Sequence, residues 1–369
     1  MKKEYGLYIH IPFCKSKCYY CDFYSENYKE EYTEQYIDSL EKEILYLHKK
    51  YNILDTDIIT IYIGGGTPSV FTSCQISKIL NLINSHFNLT SLKEFNIEVN
   101  PESINEEKLS IIKNFISNLK KVNLRISIGV QSFNNTILNN LGRLHSSEDV
   151  YKLVNILDKL QIKNYNFDLI FGCPEQTIDD IKYDLKNIIQ LNPVHVSYYA
   201  LTVEENTKFY EIGYSPDDEL QYNMYNLITT TLNLNKFKQY EISNFCKNGY
   251  ECLHNLNYWL YKEYIGLGPS AVSFISNFRI KNVSSVNEYI NGEFKYFFEE
   301  IDENKALKEQ IMLKLRTDFG IGIEESIFKK YSNIFEKLIK EGKLIIENKS
   351  VKIHSNYKFL SNSIIMEFF

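Results

Sequence analysis

Short apolar segments alternate with longer amphipathic ones from residue 5 to about residue 203. The apolar segments are rich in Ile, Val, Phe, Tyr or Leu and are bounded by turn residues, as is typical of β-strands. Between them, apolar residues recur at helical spacing, as where Tyr36, Leu40, Ile44 and Leu47 fall on one face. The pattern predicts six βα units and therefore a parallel sheet covered by helices. The predicted strands are 6–11, 58–63, 94–99, 124–130, 165–171 and 195–201.

A polar or glycine-rich segment follows the carboxyl end of each predicted strand. A cysteine-rich run follows the first strand and "GGGTPS" follows the second, while Glu98, Gln131, Asp168 and Ala200 lie at or near the ends of the other four. Groups from many strands that converge on one rim are typical of (β/α) barrels, whereas a doubly wound sheet concentrates its site at one switch point. The pattern therefore favours a full or partial α/β barrel.

The alternation is lost beyond about residue 204. A helix is predicted at 216–236 and a short strand at "YEISNF", while "ECLHNLNYW" and "YIGLGPSAVSF" look irregular. From about residue 306, helices, a hairpin in "KLIIENKSVKIHS" and a last helix predict a small α+β unit that resembles a winged helix. We expect three parts: a partial barrel at 1–205, an extension at 206–300 and the winged-helix-like unit at 301–369.

Composition and charge narrow the class of protein. The 369 residues are 44% hydrophobic, which is enough for one large core and a smaller one. The net charge of -6 argues against a nucleic-acid partner. No apolar run approaches the ~18 residues of a membrane span, so we do not expect an integral membrane protein. The amino terminus has no targeting pattern, so a cytoplasmic location is expected.

Three cysteines, Cys14, Cys18 and Cys21, form the pattern C-x3-C-x2-C directly after the first strand. Such a cluster in a chain with seven cysteines indicates metal binding in a reducing compartment. Three thiolates can hold a [4Fe–4S] cluster and leave one of its four irons open to a small molecule. The alternatives are three buried thiols, or a zinc site. Further zinc ligands would be available in Cys246, Cys252 and His254.

Other strand-end residues suggest what the small molecule is. The glycines at 64–66 allow a ligand to approach the backbone closely, although they also suit a tight turn. Glu98, Gln131, Arg143 and Asp168 suit an amino acid joined to a nucleoside, with Arg on the carboxylate and the acid and amide on ribose hydroxyls. Taken singly, each of these side chains is equally compatible with a capping residue or a surface pair.

The motifs together resemble the radical S-adenosylmethionine (SAM) family over nearly the whole chain. They are, in order, "YIHIPFCKSKCYYCDF", "GGGTPS", "EVNPE", "RISIGVQSF", "LGRLH", "DLIFGCPEQT" and "GLGPSAVS". The resemblance implies a partial, TIM-like (β/α)6 barrel and a [4Fe–4S] cluster on Cys14, Cys18 and Cys21. SAM would bind the open iron, and its reductive cleavage, with electrons from a flavodoxin- or ferredoxin-type donor, would give a 5′-deoxyadenosyl radical. The implied SAM pocket comprises Tyr8, Tyr20, Gly65, Gly66, Thr67, Glu98, Gln131, Arg143, Asp168, Ala200 and Val272.

Within that family the chain is most similar to the oxygen-independent coproporphyrinogen III oxidases and to the HemW-type haem chaperones. The oxidases carry a further cysteine two residues after the third, where this chain has Phe23, and an extension before the cysteines. The segment "HNLNYW" resembles the H-N-x-x-Y-W motif of the chaperones, which implies haem contact by His254, Tyr258 and Trp259. An imidazole can ligate haem iron and aromatic rings can pack on the macrocycle, although a structural histidine is the alternative.

The resemblance therefore favours a haem chaperone that delivers haem to haem-accepting respiratory membrane proteins. The alternative is the oxidase, which decarboxylates two propionates of coproporphyrinogen III, and a third possibility is a radical enzyme with an unrelated substrate. Whether the chain is itself an enzyme stays open at this point. Cys173 precedes Pro174, a pair that sometimes ligates haem, but a small buried side chain is the favoured interpretation.

Overall fold

The computed structural model describes residues 3–369 apart from 52, 54, 55 and 295. The strands of the first half are β1 (Glu4–Ile11), β2 (Phe13–Cys14), β3 (Glu26–Asn27), β4 (Asp57–Gly65), β5 (Glu94–Val99), β6 (Asn123–Gln131), β7 (Tyr165–Phe171) and β8 (His195–Ala200). Those of the second half are β9 (Lys238–Gln239), β10 (Asn244–Cys246), β11 (Tyr264–Leu267), β12 (Val272–Ile275), β13 (Phe278–Lys281), β14 (Phe297–Glu300), β15 (Ile321–Gly322), β16 (Leu344–Glu347) and β17 (Ser350–Ile353).

The helices follow the predicted alternation in the first half of the chain. They are α1 (Glu30–Tyr51), α2 (Ser73–His86), α3 (Glu106–Ser117), α4 (Asn135–Asn140), α5 (Ser147–Lys159), α6 (Ile178–Leu191) and α7 (Lys208–Glu211). The later helices are α8 (Asp218–Leu234), α9 (Leu253–Trp259), α10 (Val286–Ile290), α11 (Glu303–Lys314), α12 (Ser326–Lys330), α13 (Ser332–Lys340) and α14 (Ser361–Met366). Short 3-10 helices lie at Pro68–Val70 and Ser355–Leu360.

A large mixed sheet organises the fold. Among the described residues its strand order is β14-β13-β12-β11-β1-β4-β5-β6-β7-β8-β10-β9. The run from β11 to β8 is parallel, so the carboxyl ends of these strands lie along one rim. The six predicted strands are confirmed, each within two residues at either end. The expected α/β barrel class is confirmed, and β11, which the sequence pattern did not predict, adds a parallel strand beside β1.

Capping residues and apolar faces explain where these helices begin and how they pack on the sheet. Thr72 and Thr177 begin α2 and α6 with capping boxes, in which a threonine hydroxyl and a side chain three residues later satisfy backbone N–H groups reciprocally. Ser146 precedes α5, and both its backbone N–H (3.0 Å) and its hydroxyl (2.9 Å) donate to the carboxylate of Asp149. The apolar faces pack inward, and Tyr36 and Leu40 of α1 are fully buried. The helices thereby fix the strands that carry the polar rim.

The segment "ECLHNLNYW" is helical rather than irregular, which corrects the prediction. Its helix α9 begins beneath Glu94, the first residue of β5, whose carboxylate accepts hydrogen bonds from the backbone N–H groups of Leu253 (3.1 Å) and His254 (3.0 Å). A carboxylate is favourable at a helix amino terminus, where N–H groups lack partners. Because Glu94 lies at the amino end of its strand, α9 lies at the end of the barrel opposite the cysteines.

Two further segments differ from the prediction. Of the strand expected over "YEISNF", only Asn244 and Phe245 belong to a strand, β10, while residues 240–243 form the turn that joins it to β9. The glycine-rich segment "YIGLGPSAVSF" forms β11 and β12 rather than irregular structure. Residues 206–300 thus extend the large sheet at both of its edges.

The last part of the chain has a separate core, formed by residues between Leu307 and Phe368. Helices α11–α13 precede the predicted hairpin of β16 and β17, and β15 pairs with β17 to complete a small sheet. The helices and the small sheet agree with the expected α+β class, and the likeness of this unit to a winged helix stays a prediction. Among the helices of the described residues, none is both long and apolar enough to cross a membrane.

Candidate functional site

A cavity of about 420 Å³ opens at the carboxyl ends of the parallel strands. Its volume is within the range of small-molecule sites. The three predicted cluster cysteines line it together with most of the residues predicted to bind SAM. These wall residues are Cys14, Cys18, Cys21, Tyr20, Gly65, Gly66, Thr67, Glu98, Gln131, Arg143, Asp168 and Ala200.

Two predicted pocket residues do not belong to the described wall of this cavity. Tyr8 lies behind it, where its hydroxyl is 2.9 Å from Nδ1 of His10 and its ring is 6.1 Å from that of Tyr62. Val272 lies on β12, paired with Lys281 of β13. Tyr8 thus lies beside Tyr62 of the wall, and the assignment of Tyr8 and Val272 to the SAM pocket stays a prediction.

The cysteine loop leaves β1 and folds over the rim. The thiols of Cys14, Cys18 and Cys21 are all partly exposed. Cys14 lies 3.4 Å from the hydroxyl of Thr67, and the backbone N–H of Cys21 donates to the carbonyl of Cys18. Burial raises the pKa of Cys21 to about 11 and also raises that of Cys14, so these two thiols are protonated at neutral pH without metal. Iron binding would displace those protons.

The donor set suits a cluster better than a single ion. In the part of the chain that the structure describes, no three His, Cys, Asp or Glu side chains are drawn together around one metal position. In a [4Fe–4S] cube each thiolate binds its own iron, so the three sulfurs need not converge on one point. Cys252 lies 3.5 Å from Glu94 at the opposite end of the barrel, so the second cysteine group cannot complete a zinc site on this loop.

Arg143 connects the cysteine loop to the strand ends. Its guanidinium donates to Cys18 Sγ (3.4 Å), to Asn100 Oδ1 (2.7 Å) and to the carbonyl of Gly129 (3.0 Å). Although burial opposes its charge, the neighbouring Tyr20 and Cys18 raise the pKa of Arg143, which stays cationic. Its buried Nε has no hydrogen-bond partner among the described residues. A cation with an unused donor in a cavity wall suits the carboxylate of an amino acid.

Two carboxyl groups lie deeper in the cavity. Glu98 accepts hydrogen bonds from the hydroxyl of Tyr62 (2.6 Å) and the backbone N–H of Gly65 (3.0 Å). Burial, with a contribution from the charge of Asp168, raises the pKa of Glu98 to about 7. Asp168 accepts from the hydroxyl of Ser127 at 2.9 Å, and burial raises its pKa too. A ligand that brings positive charge or hydroxyl donors would compensate these buried acids.

The backbone at Gln131 is strained where its side chain meets the cavity. Gln131 has a left-handed φ of 64° at a bulge in the pairing of β6 with β7. Buried Asp184 of α6 holds the next two residues, accepting from the hydroxyl of Ser132 (3.0 Å) and the N–H of Phe133 (2.6 Å). Such strain of a non-glycine residue persists where the surroundings enforce it, which is common at functional sites.

The glycine turn has a packing role as well as a place in the wall. The N–H of Gly66 donates to the carbonyl of Ile11 at 2.7 Å. A Cβ on Gly66 would lie 2.7 Å from that carbonyl oxygen and 2.8 Å from the carbonyl oxygen of Phe13. Only glycine permits this close approach, so the turn fixes β4 against the start of the cysteine loop.

Several wall residues were not singled out from the sequence: Tyr62, Asn100, Ser127 and Tyr199. Asn100 positions Arg143 and also donates to Thr67 at 3.2 Å. The sequence does contain Asn100 in the motif "EVNPE", where it directly follows the strand that carries Glu98. Tyr62 could not be assigned to the site from the sequence, because a single aromatic residue in an apolar strand is typical of the hydrophobic core.

The predicted haem contacts lie at the other end of the barrel. His254 is fully buried, with Nδ1 2.8 Å from the hydroxyl of Thr60 and Nε2 2.8 Å from that of Tyr258. Burial lowers its pKa to about 3, so the ring is neutral. Tyr258 and Trp259 are partly exposed. Haem ligation by His254 stays a prediction, and it would require both hydrogen bonds to break.

The structure also shows the surroundings of Cys173 and Phe23, two residues discussed in the sequence analysis. Cys173 is buried and its pKa is raised by that burial, in keeping with a small packed side chain. Phe23 is 68% exposed at the mouth of the cavity, where the oxidases would carry a further cysteine.

Comparisons with known proteins agree with this geometry. The sequence model described as "Radical SAM superfamily" matches residues 8–188. "Heme chaperone HemW" of Lactococcus lactis is 34% identical over 92% of this chain and 89% of that protein. The protein of the same description from Bacillus subtilis is 32% identical over 98% of both chains. Among solved structures, coproporphyrinogen III oxidase (HemN) of Escherichia coli, a radical SAM enzyme, aligns with a TM-score of 0.84 over 100% of this chain and 90% of that chain, at 20% identity.

Proposed function

The chain belongs to the family of HemW haem chaperones within the radical SAM superfamily, and from this we propose that it binds haem and passes it to acceptor proteins. The observation that carries the proposal is similarity to such chaperones over nearly the full length of both chains. Similarity over 98% of both chains includes the extension and the carboxyl-terminal unit, not only the barrel. A shared barrel alone would support only the superfamily.

Membership of the superfamily implies a [4Fe–4S] cluster and SAM, and the rim has the residues to hold both. We propose that Cys14, Cys18 and Cys21 bind three irons. When bound, the reduced cluster would supply one electron to SAM. This would cleave the sulfonium to methionine and a 5′-deoxyadenosyl radical. The guanidinium of Arg143 supports binding of the SAM carboxylate, because its buried Nε lacks a partner.

The buried acids support recognition of the remaining polar groups of SAM. Glu98 and Asp168 are buried on neighbouring parts of the wall and accept hydrogen bonds. We propose that they face ribose hydroxyls and the cationic part of SAM. Gln131 and Tyr20 complete the same wall, and the aromatic ring between the second and third cysteines suits packing against the adenine.

We further propose partners for electrons and for haem. Lys15 and Lys17 are exposed on the cysteine loop and would attract an acidic, reducing donor of the flavodoxin or ferredoxin type. Exposed thiolate clusters persist in reducing compartments, which supports a cytoplasmic location. The proposed acceptors are haem-binding respiratory membrane proteins.

The oxidase is the second candidate, and its support is narrower. The HemN structure is similar in fold at 20% identity, which shows the fold alone. Phe23, exposed at the cavity mouth, stands where the oxidases carry a cysteine. We therefore propose that coproporphyrinogen III is not a substrate.

The experiment uses the full chain with its cluster reconstituted under anaerobic conditions. One sample receives coproporphyrinogen III, SAM and dithionite, and a second is titrated with ferric haem. The proposal predicts a saturable Soret band in the titration and no decarboxylated product. Formation of protoporphyrinogen IX, or failure to bind haem, contradicts it.

A further inference from the structure

Three polar side chains form a continuous chain of hydrogen bonds between the strand ends and the cysteine loop. Arg143 donates from Nη2 to Oδ1 of Asn100 at 2.7 Å, and Asn100 donates from Nδ2 to the hydroxyl of Thr67 at 3.2 Å. The hydroxyl of Thr67 lies 3.4 Å from Sγ of Cys14. At the other end, Nη1 of Arg143 donates to Sγ of Cys18 at 3.4 Å. We name Arg143, Asn100 and Thr67 the donor network.

The chemistry of the groups fixes the direction of each hydrogen bond in the donor network. A guanidinium has only donors, so Asn100 must turn its carbonyl oxygen to Arg143 and its NH2 group to Thr67. A thiolate that is bound to iron has no proton and can only accept, so the hydroxyl of Thr67 donates to Cys14. The network therefore ends in an O–H directed at Cys14 and an N–H directed at Cys18.

Asn100 is held at the centre of the network by its own backbone. Its N–H donates to the hydroxyl of Ser69 at 3.0 Å, and its carbonyl accepts from the N–H of Ser103 at 3.1 Å. Ser69 is fully buried, and its hydroxyl lies 2.6 Å from that of Ser103. The residue that orients both sulfur donors is thus fixed to the barrel rather than to the cysteine loop.

A glycine leaves room for the contact between Asn100 and Arg143. A Cβ on Gly129 would lie 2.9 Å from Oδ1 of Asn100 and 3.1 Å from Nη2 of Arg143. The carbonyl of the same glycine accepts a second hydrogen bond from Nη2, at 3.0 Å. Because Nη2 has these two acceptors, Nη1 is left for Cys18 and Nε for the carboxylate of SAM proposed above.

Other contacts of the cysteines come from within the loop between β2 and β3. Cys21 accepts from the backbone N–H of Phe23, and the hydroxyl of Ser25 also hydrogen-bonds Cys14. The donor network differs because its residues follow the barrel strands β4 and β5 and the helix α4. It therefore couples the sulfurs to the wall of the SAM cavity.

Hydrogen bonds to the cysteine sulfurs are among the features that set the reduction potential of an iron–sulfur cluster. One electron from the proposed flavodoxin- or ferredoxin-type donor would make the cluster more negative by one charge, and the sulfurs would carry part of that charge. A directed donor binds a more negative acceptor more strongly, so it stabilises the reduced state more than the oxidised state. The positive charge of Arg143 acts in the same sense.

We propose that the donor network raises the reduction potential of the cluster, and that Asn100 is the positioning residue for both of its sulfur donors. This role rests on the proposed cluster on Cys14, Cys18 and Cys21. It acts where the cluster accepts its electron, before SAM is cleaved.

Redox titration of the full chain tests this role. The protein is reconstituted under anaerobic conditions, and its midpoint potential is followed by electron paramagnetic resonance without SAM, so that altered SAM binding does not contribute. Thr67→Val removes the hydroxyl at nearly constant volume, whereas Thr67→Ser keeps it. Asn100→Leu removes the amide and leaves the threonine and all three cysteines in place. Iron content and melting temperature show that each variant is folded and holds its cluster.

Thr317→Val is the matched control for Thr67→Val. Thr317 is a buried threonine of the carboxyl-terminal unit. Its hydroxyl also donates once, to the carbonyl of Lys314 at 2.7 Å, and accepts once, from the N–H of Gly320 at 3.3 Å. The control therefore loses the same kind of hydroxyl far from the cysteine loop.

We expect Thr67→Val to lower the equilibrium constant for reduction of the cluster about tenfold, which is about 59 mV for a one-electron couple. Asn100→Leu should lower it at least as far, because both sulfur donors lose their orientation. Thr67→Ser and Thr317→Val should stay within about threefold of the unmodified chain.

Potentials of Thr67→Val and Asn100→Leu equal to that of the unmodified chain overturn the role of the network and leave the cluster standing. Asn100→Leu decides alone if Thr67→Val does not retain iron. An unmodified chain that forms no reducible cluster overturns the proposed cluster itself.

Discussion

Nδ1 of His254 lies 2.8 Å from the hydroxyl of Thr60, a contact between residues 194 positions apart in the chain. It ties α9 to β4, and the hydroxyl of Tyr258 holds the other ring nitrogen from within the same helix. Asn257 of α9 donates to the same threonine hydroxyl at 2.9 Å. The segment with the haem-motif pattern therefore closes the amino end of the barrel.

This contact predicts a stability effect for His254→Ala. The substitution removes a fully buried ring and leaves the hydroxyls of Thr60 and Tyr258 short of a partner. We expect it to lower the free energy of unfolding by about 2–4 kcal/mol. Asn255→Ala, on the same helix but partly exposed, is the control and should cost less than about 1 kcal/mol. Urea unfolding measures both.

The same variant tests haem contact by His254. The resemblance to the chaperone motif implies this contact, so folded His254→Ala should show a weakened Soret band when it is titrated with ferric haem. An unchanged Soret band in folded protein would contradict ligation by His254.

The cluster assignment predicts that Cys18→Ala abolishes the cluster. The remaining two thiols cannot hold a [4Fe–4S] cube with one open iron. After anaerobic reconstitution we expect loss of cluster absorbance and of reductive SAM cleavage. Cys173→Ala, which removes a buried thiol lining no part of the described wall, should keep both. Retention of iron and sulfide by the Cys18 variant would disprove the assignment.

Arg143→Lys should weaken SAM binding without loss of the cluster. A lysine cannot reproduce the planar set of donors that reaches Cys18, Asn100 and Gly129 together. We expect the dissociation constant of SAM to rise about 10- to 100-fold. Equilibrium dialysis with labelled SAM measures it, alongside iron content. Arg279→Lys, far from the rim, serves as the control, and an unchanged dissociation constant in Arg143→Lys would remove this residue from the proposed pocket.

Buried Glu43 predicts a pH dependence of stability. It accepts hydrogen bonds from the hydroxyl of Tyr289 (2.6 Å) and the N–H of Gly268 (2.8 Å), and burial raises its pKa to about 7. The unfolded chain has a glutamate pKa of about 4.3. Between these values the folded protein binds a proton that the unfolded chain releases, so the free energy of unfolding falls as pH rises from about 4.3 to about 7.

The loss from Glu43 over this window is on the order of 3 kcal/mol and levels off above about pH 7. Glu43→Gln should therefore make the pH dependence shallower, while buried Glu98 still contributes to it. Urea unfolding of the protein at several pH values measures the slope. Glu41→Gln, an exposed position on the same helix, should leave the slope as it is. A Glu43→Gln slope as steep as that of the unmodified chain would show that this carboxyl group does not titrate in the window.

The barrel strands and the rim could be predicted because their signals are local. Each strand is a short apolar run, and its rim residue lies at or beside the carboxyl end of that run, as Glu98 and Gln131 do. A parallel sheet brings those positions together whatever the details of packing. The cavity that contains the three cysteines and Arg143 follows from the same rule.

Helix α9 and strand β11 could not be predicted because distant residues determine them. The helix has seven residues and begins on the carboxylate of Glu94, which is 160 positions from His254 in the chain. Strand β11 is short and glycine-containing, and it is defined by pairing with β1 at the other end of the sequence. Long-range capping and pairing leave no periodic pattern in a single segment.

Transfer of haem tests the central claim most directly. The full chain is loaded with haem, freed of excess ligand and mixed with membrane vesicles that contain the haem-free cytochrome b subunit of a respiratory complex. The account predicts that the Soret spectrum shifts to that of the cytochrome and that electron transfer activity appears, with albumin-bound haem as the control donor. Haem that stays on the chain, or that reaches the cytochrome no faster than from albumin, would contradict a chaperone function.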